Sequence, residues 1–95
     1  MTFFMFGKYS GEAMEEISSR RTDVARELIK KLGGSVQGMY ALLGQYDLVL
    51  IVELPTMTDA MKAAVALGRE TGISFCTAPA IPVAEFDKLM AEAAT

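Results

Sequence analysis

The spacing of apolar residues along this chain changes between strand-like and helix-like segments, and these changes predict its secondary structure. Thr2–Tyr9 is short, apolar and aromatic, which favours a strand. Ser35–Leu43 and Tyr46–Leu54 predict two more strands joined by a turn at Gly44-Gln45. Ile73–Ala80 predicts a fourth strand, near whose end two prolines, Pro79 and Pro82, limit further pairing.

Helical spacing predicts the segments between and after these strands. The first helical region starts at Ser10 and ends at Gly33-Gly34, where glycine allows the left-handed conformation that closes a helix. The polar run Ser18–Asp23 interrupts its apolar stripe, which indicates either one helix with a weak middle or a short helix followed by a longer one.

A second helix follows Pro55, is capped by Thr56 or Thr58, and runs to about Glu70, before Thr71-Gly72. Its predicted inner face contains Met57, Met61, Ala64, Val65 and Gly68. Val83–Ala94 predicts a final helix with Val83, Phe86, Met90 and Ala93 inward.

The element order β-α-β-β-α-β-α predicts an α+β fold. Two right-handed β-α-β halves joined by a hairpin give the ferredoxin-like βαββαβ arrangement plus a C-terminal helix, over residues 1–95 as one domain. This arrangement has a four-stranded antiparallel sheet of order 4-1-3-2. Its two central strands are the two segments here that are apolar on both faces.

The third strand predicts a homodimer. Leu48, Leu50, Val52 and Leu54 point to one face, while Val49 and Ile51 point to the other. Two main helices cover only one face of the sheet, and each large apolar side chain left in water forgoes about 1.5–3 kcal/mol. We therefore expect a second copy to stack on the open sheet face, giving a dimeric α/β barrel. The alternative is that the final helix and the chain ends fold over this face.

Composition narrows the class of protein. The chain has 95 residues and is 52% hydrophobic, with nine Lys and Arg against twelve Asp and Glu, a net charge of −3. Lysines and arginines are not concentrated in the way that nucleic-acid binding requires. No apolar run is long enough to span a membrane. One cysteine, Cys76, excludes an internal disulfide, and with no signal peptide recognisable the protein is predicted to be cytoplasmic. Cys76 itself is predicted to be a small buried hydrophobe.

The segment Gly44-Gln45-Tyr46-Asp47, followed by Leu-Val-Leu-Ile-Val-Glu-Leu-Pro, resembles the signature of the GYD-domain family. The strand end Phe6–Tyr9, Arg21, and Leu32-Gly33-Gly34 also fall where that family has them, although Gln45 separates the Gly from the Tyr. The resemblance implies a dimeric α/β-barrel fold. It implies little about activity, because most members of the family have no assigned one.

Two groups of residues are candidates for a ligand site. In the turn, Gly44 permits positive φ, Asp47 either accepts turn amides or presents a carboxylate, and Tyr46 either stacks on a ligand or plugs the core. The second group is Lys8, Tyr9 and Glu53, where a structural ion pair is favoured over ligand binding. Lys8, beside Tyr9, either pairs with Asp47 or Glu53 or binds an anion. Glu53 either pairs with an Arg or Lys across the subunit interface or contacts a ligand.

Arg20 and Arg21, with Ser18, Ser19 and Thr22, suggest either an anion pocket or, as the favoured interpretation, a solvated helix break. Four methionines, Met5, Met39, Met57 and Met61, are predicted to line an apolar cavity with Lys8, Tyr46 and Asp47 at its rim. The chain has no histidine, and no metal site, cofactor motif or catalytic signature is recognised.

The sequence therefore predicts a homodimer that binds a small molecule between helices and sheet or at the subunit interface. Two alternatives are a small cofactor-independent enzyme of monooxygenase type and a structural higher homo-oligomer.

Overall fold

The computed structural model describes residues 1–93, and the sequence order of its elements matches the predicted one. The elements are β1 (Thr2–Tyr9), α1 (Gly11–Glu15), α2 (Ser19–Lys31), β2 (Ser35–Ala41), β3 (Leu48–Glu53), α3 (Met57–Thr71), β4 (Ile73–Ala80) and α4 (Val83–Ala93). The strands pair antiparallel in the order β2-β3-β1-β4, which is the predicted 4-1-3-2 seen from the other edge. The α+β, ferredoxin-like prediction is confirmed. The last residue of the predicted final helix, at position 94, lies outside the described residues.

The helix ends follow from local chemistry. The Ser10 hydroxyl caps α1 by accepting a hydrogen bond from the Ala13 N–H at 3.0 Å. The Thr56 hydroxyl caps α3 by accepting one from the Asp59 N–H at 3.1 Å. The polar run breaks the first helical region into α1 and α2, so the second of the two predicted alternatives is correct. Gly33 and Gly72 follow α2 and α3 with φ of +85° and +73°, the left-handed conformation that glycine adopts at low cost.

The core lies between one face of the sheet and the helices α2 and α3. Phe3 and Met5 of β1 and Leu50 and Val52 of β3 are all buried on that face. The alternation predicted for the third strand is confirmed, because Leu54 is also buried and Leu48 packs against the same cluster. From the helix side, the core is completed by Ala25, Ile29, Ala60, Ala63 and Leu67.

The predicted inner face of α3 is largely wrong. Met57, Met61 and Val65 are exposed, and the buried positions are Ala60, Ala63, Leu67 and Thr71. Ala64 and Gly68, the two smallest of the predicted set, are partly buried. The helix is apolar on more than one side, and it packs through the side with small residues, which lets its backbone approach the sheet closely.

The predicted inward face of α4 is also wrong. No residue of this helix is buried, and Val83, Phe86, Leu89 and Met90 are between 47 and 73% exposed. The helix makes only sparse contact with the other described elements. The molecule is accordingly elongated, 53 × 30 × 18 Å, with a radius of gyration of 14.8 Å against about 12 Å for a compact chain of this length.

Candidate functional site

Asp47 ties the loop between β2 and β3 to the neighbouring strands. Its carboxylate accepts a hydrogen bond from the Tyr9 N–H at 2.8 Å, and its own N–H donates to the Gly7 carbonyl at 2.8 Å. Its carbonyl accepts from the Leu42 N–H at 2.8 Å. Gly44, at the tip of this loop, has a φ of +128°, which side chains rarely permit. These contacts give Gly44 and Asp47 the structural role that the sequence allowed, and their ligand-binding role stays a prediction.

The six residues predicted as ligand-binding do not lie in one place. Five lie at the end of the sheet where β1 ends and β3 begins: Lys8, Tyr9, Gly44, Tyr46 and Asp47. Glu53 lies at the opposite end of β3, paired in register with Thr2. Even among the five the faces differ, because Tyr9 points towards the helices while the Tyr46 ring packs on Phe6 on the open sheet face.

The predicted ion pair of Lys8 with Asp47 or Glu53 is wrong. The Lys8 ammonium donates instead to the Gln45 carbonyl at 3.4 Å, in an exposed position. Glu53 accepts a hydrogen bond from the Thr2 hydroxyl and lies 3.5 Å from the Met1 ammonium. Glu53 thus finds its partners at the start of β1, and the Asp47 carboxylate is occupied by backbone.

The open sheet face, opposite the helices, carries an aromatic cluster beside the free thiol of Cys76. The Phe4 and Phe6 ring centroids are 6.4 Å apart, and those of Phe6 and Tyr46 are 5.3 Å apart. Cys76 is the register partner of Phe6 on β4 and is exposed, so the prediction of a buried cysteine is wrong for the single chain. A hydrogen bond with Cys76 raises the pKa of Tyr46, and the charge of the thiolate and desolvation add to the shift.

A cavity of about 90 Å³ lies between the helices and the sheet, below the break between α1 and α2. Its apolar wall is formed by side chains of all four strands and of two helices, among them Met39, Leu48, Leu50, Leu67 and Phe75. It adjoins a wider cleft of about 600 Å³ that is lined by polar side chains. Ile17, Ser18, Arg21 and Thr71 line both spaces, so they form the passage between them.

Arg21 is the cation at this passage. Its guanidinium donates to the Ala13 carbonyl at 2.5 Å and lies 4.9 Å from the centre of the Tyr9 ring. These contacts hold the end of α1 and the end of β1 beside the first turn of α2. The polar run that predicted a helix break was therefore also the sequence signal for this cavity mouth, although only Ser18, Arg20, Arg21 and Thr22 of the predicted anion pocket line it.

The predicted cavity of four methionines does not form. Met39 lines the helix–sheet cavity, and Met5 is fully buried in the core. Met57 and Met61 lie on the exposed side of α3. The apolar residues that line the cavity instead include Leu48 and Leu50 of β3 and Ile73 and Phe75 of β4, none of which was predicted to line a cavity.

Within residues 1–93, no group of three or more His, Cys, Asp or Glu is placed to hold a metal ion. Over the same residues, no helix has the length and apolar character needed to cross a membrane.

Comparison with known proteins identifies the family. The model of the GYD domain matches residues 3–90. The chain belongs to the GYD-domain family. Among curated proteins, this GYD chain is similar to the "Glutamine synthetase and cystathionine beta-lyase binding protein" of Thermus thermophilus. The two are 30% identical over 87 residues, covering 88% of this chain and 92% of the relative.

Among solved structures, the GYD chain is similar to the leucine response regulatory protein LrpA of Mycobacterium tuberculosis, with a TM-score of 0.57. Sequence identity is 10%, and the match covers 85% of this chain. The chain spans about half the length of LrpA, 50% of that chain. At this identity the likeness shows the ferredoxin-like fold alone.

Proposed function

We propose that this GYD-domain protein is a homodimer that binds a small molecule in the cavity between its helices and its sheet. The observation that carries the proposal is the cavity itself, an apolar space of about 90 Å³ that meets a polar cleft at Arg21. Binding sites for small molecules combine apolar walls with a few polar groups that fix orientation. Here Arg21 and Ser18 supply those groups, while the Thr71 hydroxyl already bonds the Leu67 carbonyl and the Ile73 N–H.

The dimer is supported by the sheet face that the helices leave open. Phe4, Phe6 and Ile51 are only half-buried there, and α4 does not cover them in the single chain, since none of its own residues is buried. A second copy related by a two-fold axis would cover the same face on both subunits. Sedimentation equilibrium should then give twice 10.3 kDa, and a single species of 10.3 kDa would contradict the dimer. The free thiol of Cys76 agrees with a cytoplasmic protein.

Ligand binding is tested by blocking the cavity. Ala25 is 7% exposed and lines the cavity, so Ala25→Leu would place a larger side chain in it. We expect a panel of small metabolites to contain compounds that raise the melting temperature of the wild type, and Ala25→Leu to abolish that shift.

The matched control is Ala66→Leu, the same change on α3 at a position outside this cavity, which should keep the response. If the active compounds shift Ala25→Leu as much as the wild type, the cavity is not the binding site. A panel without any active compound counts against the function itself.

A second candidate function, binding of enzymes, is favoured by the exposed apolar stripe of α4. Phe86, Leu89 and Met90 project from a helix that makes only sparse contact with the other described elements. An exposed apolar surface of this kind usually marks an interaction site. The Thermus relative is named for binding glutamine synthetase and cystathionine beta-lyase.

The test is a titration of the protein with purified glutamine synthetase and with cystathionine beta-lyase from its own source. The double change Phe86→Ser and Met90→Ser should weaken binding at least tenfold. Ala84→Ser with Ala91→Ser, two exposed positions of the same helix, is the control and should leave binding unchanged. Equal binding by both double variants would exclude α4 as the docking surface.

A further inference from the structure

The helix–sheet cavity and the cleft outside it form one funnel whose two ends differ in chemistry. The inner end is walled by apolar side chains of the sheet and of α3, and the outer end by charged side chains around the break between α1 and α2. Because both ends meet at Ser18, Arg21 and Thr71, a single ligand can occupy both. The inference below rests on the proposed function and names the class of ligand.

The inner end sets the size of the apolar part. A volume of about 90 Å³ equals that of about three water molecules in the liquid. This is room for a short, branched alkyl group of about three or four carbons, against Leu48, Leu50 and Phe75. A sugar or a fused aromatic ring is too large for it.

The positive side of the outer end is built from arginines and the start of α2. Arg20 and Arg21 lie in the first turn of this helix, where acidic residues are the usual choice, and no acidic residue is present there. The Ser18 side chain does not cap the helix. Neither arginine has an ion-pair partner among residues 1–93. A carboxylate at the passage would receive the Arg21 fork, the Ser18 hydroxyl and the positive end of α2.

The same cleft is also lined by acidic side chains. Glu15 and Glu16, at the end of α1, and Glu70, in the last turn of α3, all line it. Two arginines and three glutamates therefore line one opening, and a purely anionic ligand would be repelled by the glutamates. A ligand that carries both a carboxylate and an ammonium group offers a partner to the arginines and to the glutamates.

We propose that the funnel binds a small zwitterion with a short branched apolar side chain, of the α-amino-acid class. Its carboxylate lies against Arg21 and Ser18, its ammonium group faces Glu15, Glu16 and Glu70, and its side chain enters the cavity beside Leu48. Each of the three groups contributes separately, so each can be removed separately.

The experiment is isothermal titration of the full chain with three matched probes: leucine, 4-methylpentanoate, which lacks the ammonium group, and isoamylamine, which lacks the carboxylate. Leucine should bind at least tenfold more tightly than either of the other two, since hydrogen bonds to charged groups are each worth about tenfold or more. Equal affinity of leucine and isoamylamine would overturn the assignment of the carboxylate to Arg21. Equal affinity of leucine and 4-methylpentanoate would overturn the assignment of the ammonium group.

Two pairs of variants locate the groups. Arg21→Gln should weaken the binding of leucine and of 4-methylpentanoate by tenfold or more. Its control is Arg26→Gln, at an exposed arginine of α2 that lines neither space, which should change neither affinity.

Glu70→Gln should weaken the binding of leucine several-fold and leave that of 4-methylpentanoate unchanged, with Glu27→Gln as its control. Because Arg21 also bonds the Ala13 carbonyl, circular dichroism and the melting temperature must show Arg21→Gln folded, and Arg21→Lys serves as the second variant, expected to recover part of the affinity.

The failure of this inference is distinguishable from the failure of the proposed function. If none of the three probes binds but another metabolite does, and Ala25→Leu blocks it, the cavity binds a ligand of another class and only the zwitterion is wrong. If neither the three probes nor any compound of the panel binds the wild type, the zwitterion and the proposed small-molecule binding are both wrong.

Discussion

At the scale of single residues, Asp47 explains why a Gly-x-Tyr-Asp turn suits this fold. Its carboxylate satisfies the Tyr9 N–H at the end of β1, beyond the last β1–β3 register pair, Gly7 with Leu48. We expect Asp47→Ala to lower the free energy of unfolding by about 1–3 kcal/mol, because a partly buried N–H loses a charged acceptor. Asp47→Asn, which keeps an acceptor oxygen, should cost less. Urea titrations measure both, with Asp23→Ala on the surface of α2 as the control, and a loss no larger than that of the control would contradict the structural role.

Tyr46 and Cys76 give a second residue-scale prediction. The pKa of Tyr46 is raised above 10.0, chiefly by its hydrogen bond with Cys76. Because folding favours the protonated phenol, this contribution to stability is complete below pH 10 and is lost as the pH rises through the raised pKa. In Cys76→Ala the midpoint should fall towards 10.0, whereas Cys76→Ser, which keeps a hydrogen-bonding group, should retain part of the shift. Carbon NMR of the labelled Tyr46 ring follows the titration, and an unchanged midpoint in Cys76→Ala would refute the assigned cause.

At the scale of elements, the large apolar side chains of α3 lie on both its buried and its exposed sides. Leu67 is 1% exposed and Met61 is 66% exposed on the same helix. Leu67→Ala should therefore cost about 2–5 kcal/mol of unfolding free energy, since it leaves a cavity in the core. Met61→Ala removes a side chain of similar size from the surface and should change stability by less than about 0.5 kcal/mol. Chemical denaturation measures the unfolding free energy of both variants. Equal losses would contradict the burial of Leu67 and the exposure of Met61.

At the scale of the whole molecule, the open sheet face predicts how the protein assembles. Ile51 lies on that face between Phe4 of β1 and Gly38 of β2. Ile51→Lys should give a folded single chain of 10.3 kDa, because a buried, unpaired ammonium at the centre of the proposed subunit interface is costly. Val65→Lys, on the exposed side of α3, should leave the proposed dimer intact. Sedimentation gives the mass and circular dichroism the fold.

The thiol of Cys76 reports on the same interface independently. It is exposed in the single chain and lies on the open sheet face. If the proposed dimer forms, the thiol should react slowly with a thiol reagent in the wild type and quickly in Ile51→Lys. Equal reactivity in the two proteins would place the subunit interface elsewhere.

The sequence by itself determined the fold. Period-two spacing, the glycines that close α2 and α3, and the hairpin between the second and third strands specify the element order, and right-handed crossovers then leave one arrangement of the sheet. It also determined which residues of β3 face the helices, because side chains alternate in a strand whatever it packs against.

Only the tertiary structure decided which side of α3 is buried and whether α4 packs at all. The large apolar side chains Met57, Met61 and Val65 of α3 lie outside, so size did not mark its inner face, and the fit of Ala60 and Ala63 against the sheet decided it. The tertiary structure alone also placed the cavity. Its walls include Tyr9, Met39 and Phe75, which are far apart along the chain. They meet because β1 and β2 end, and β3 and β4 begin, at the same end of the sheet, beneath the break between α1 and α2.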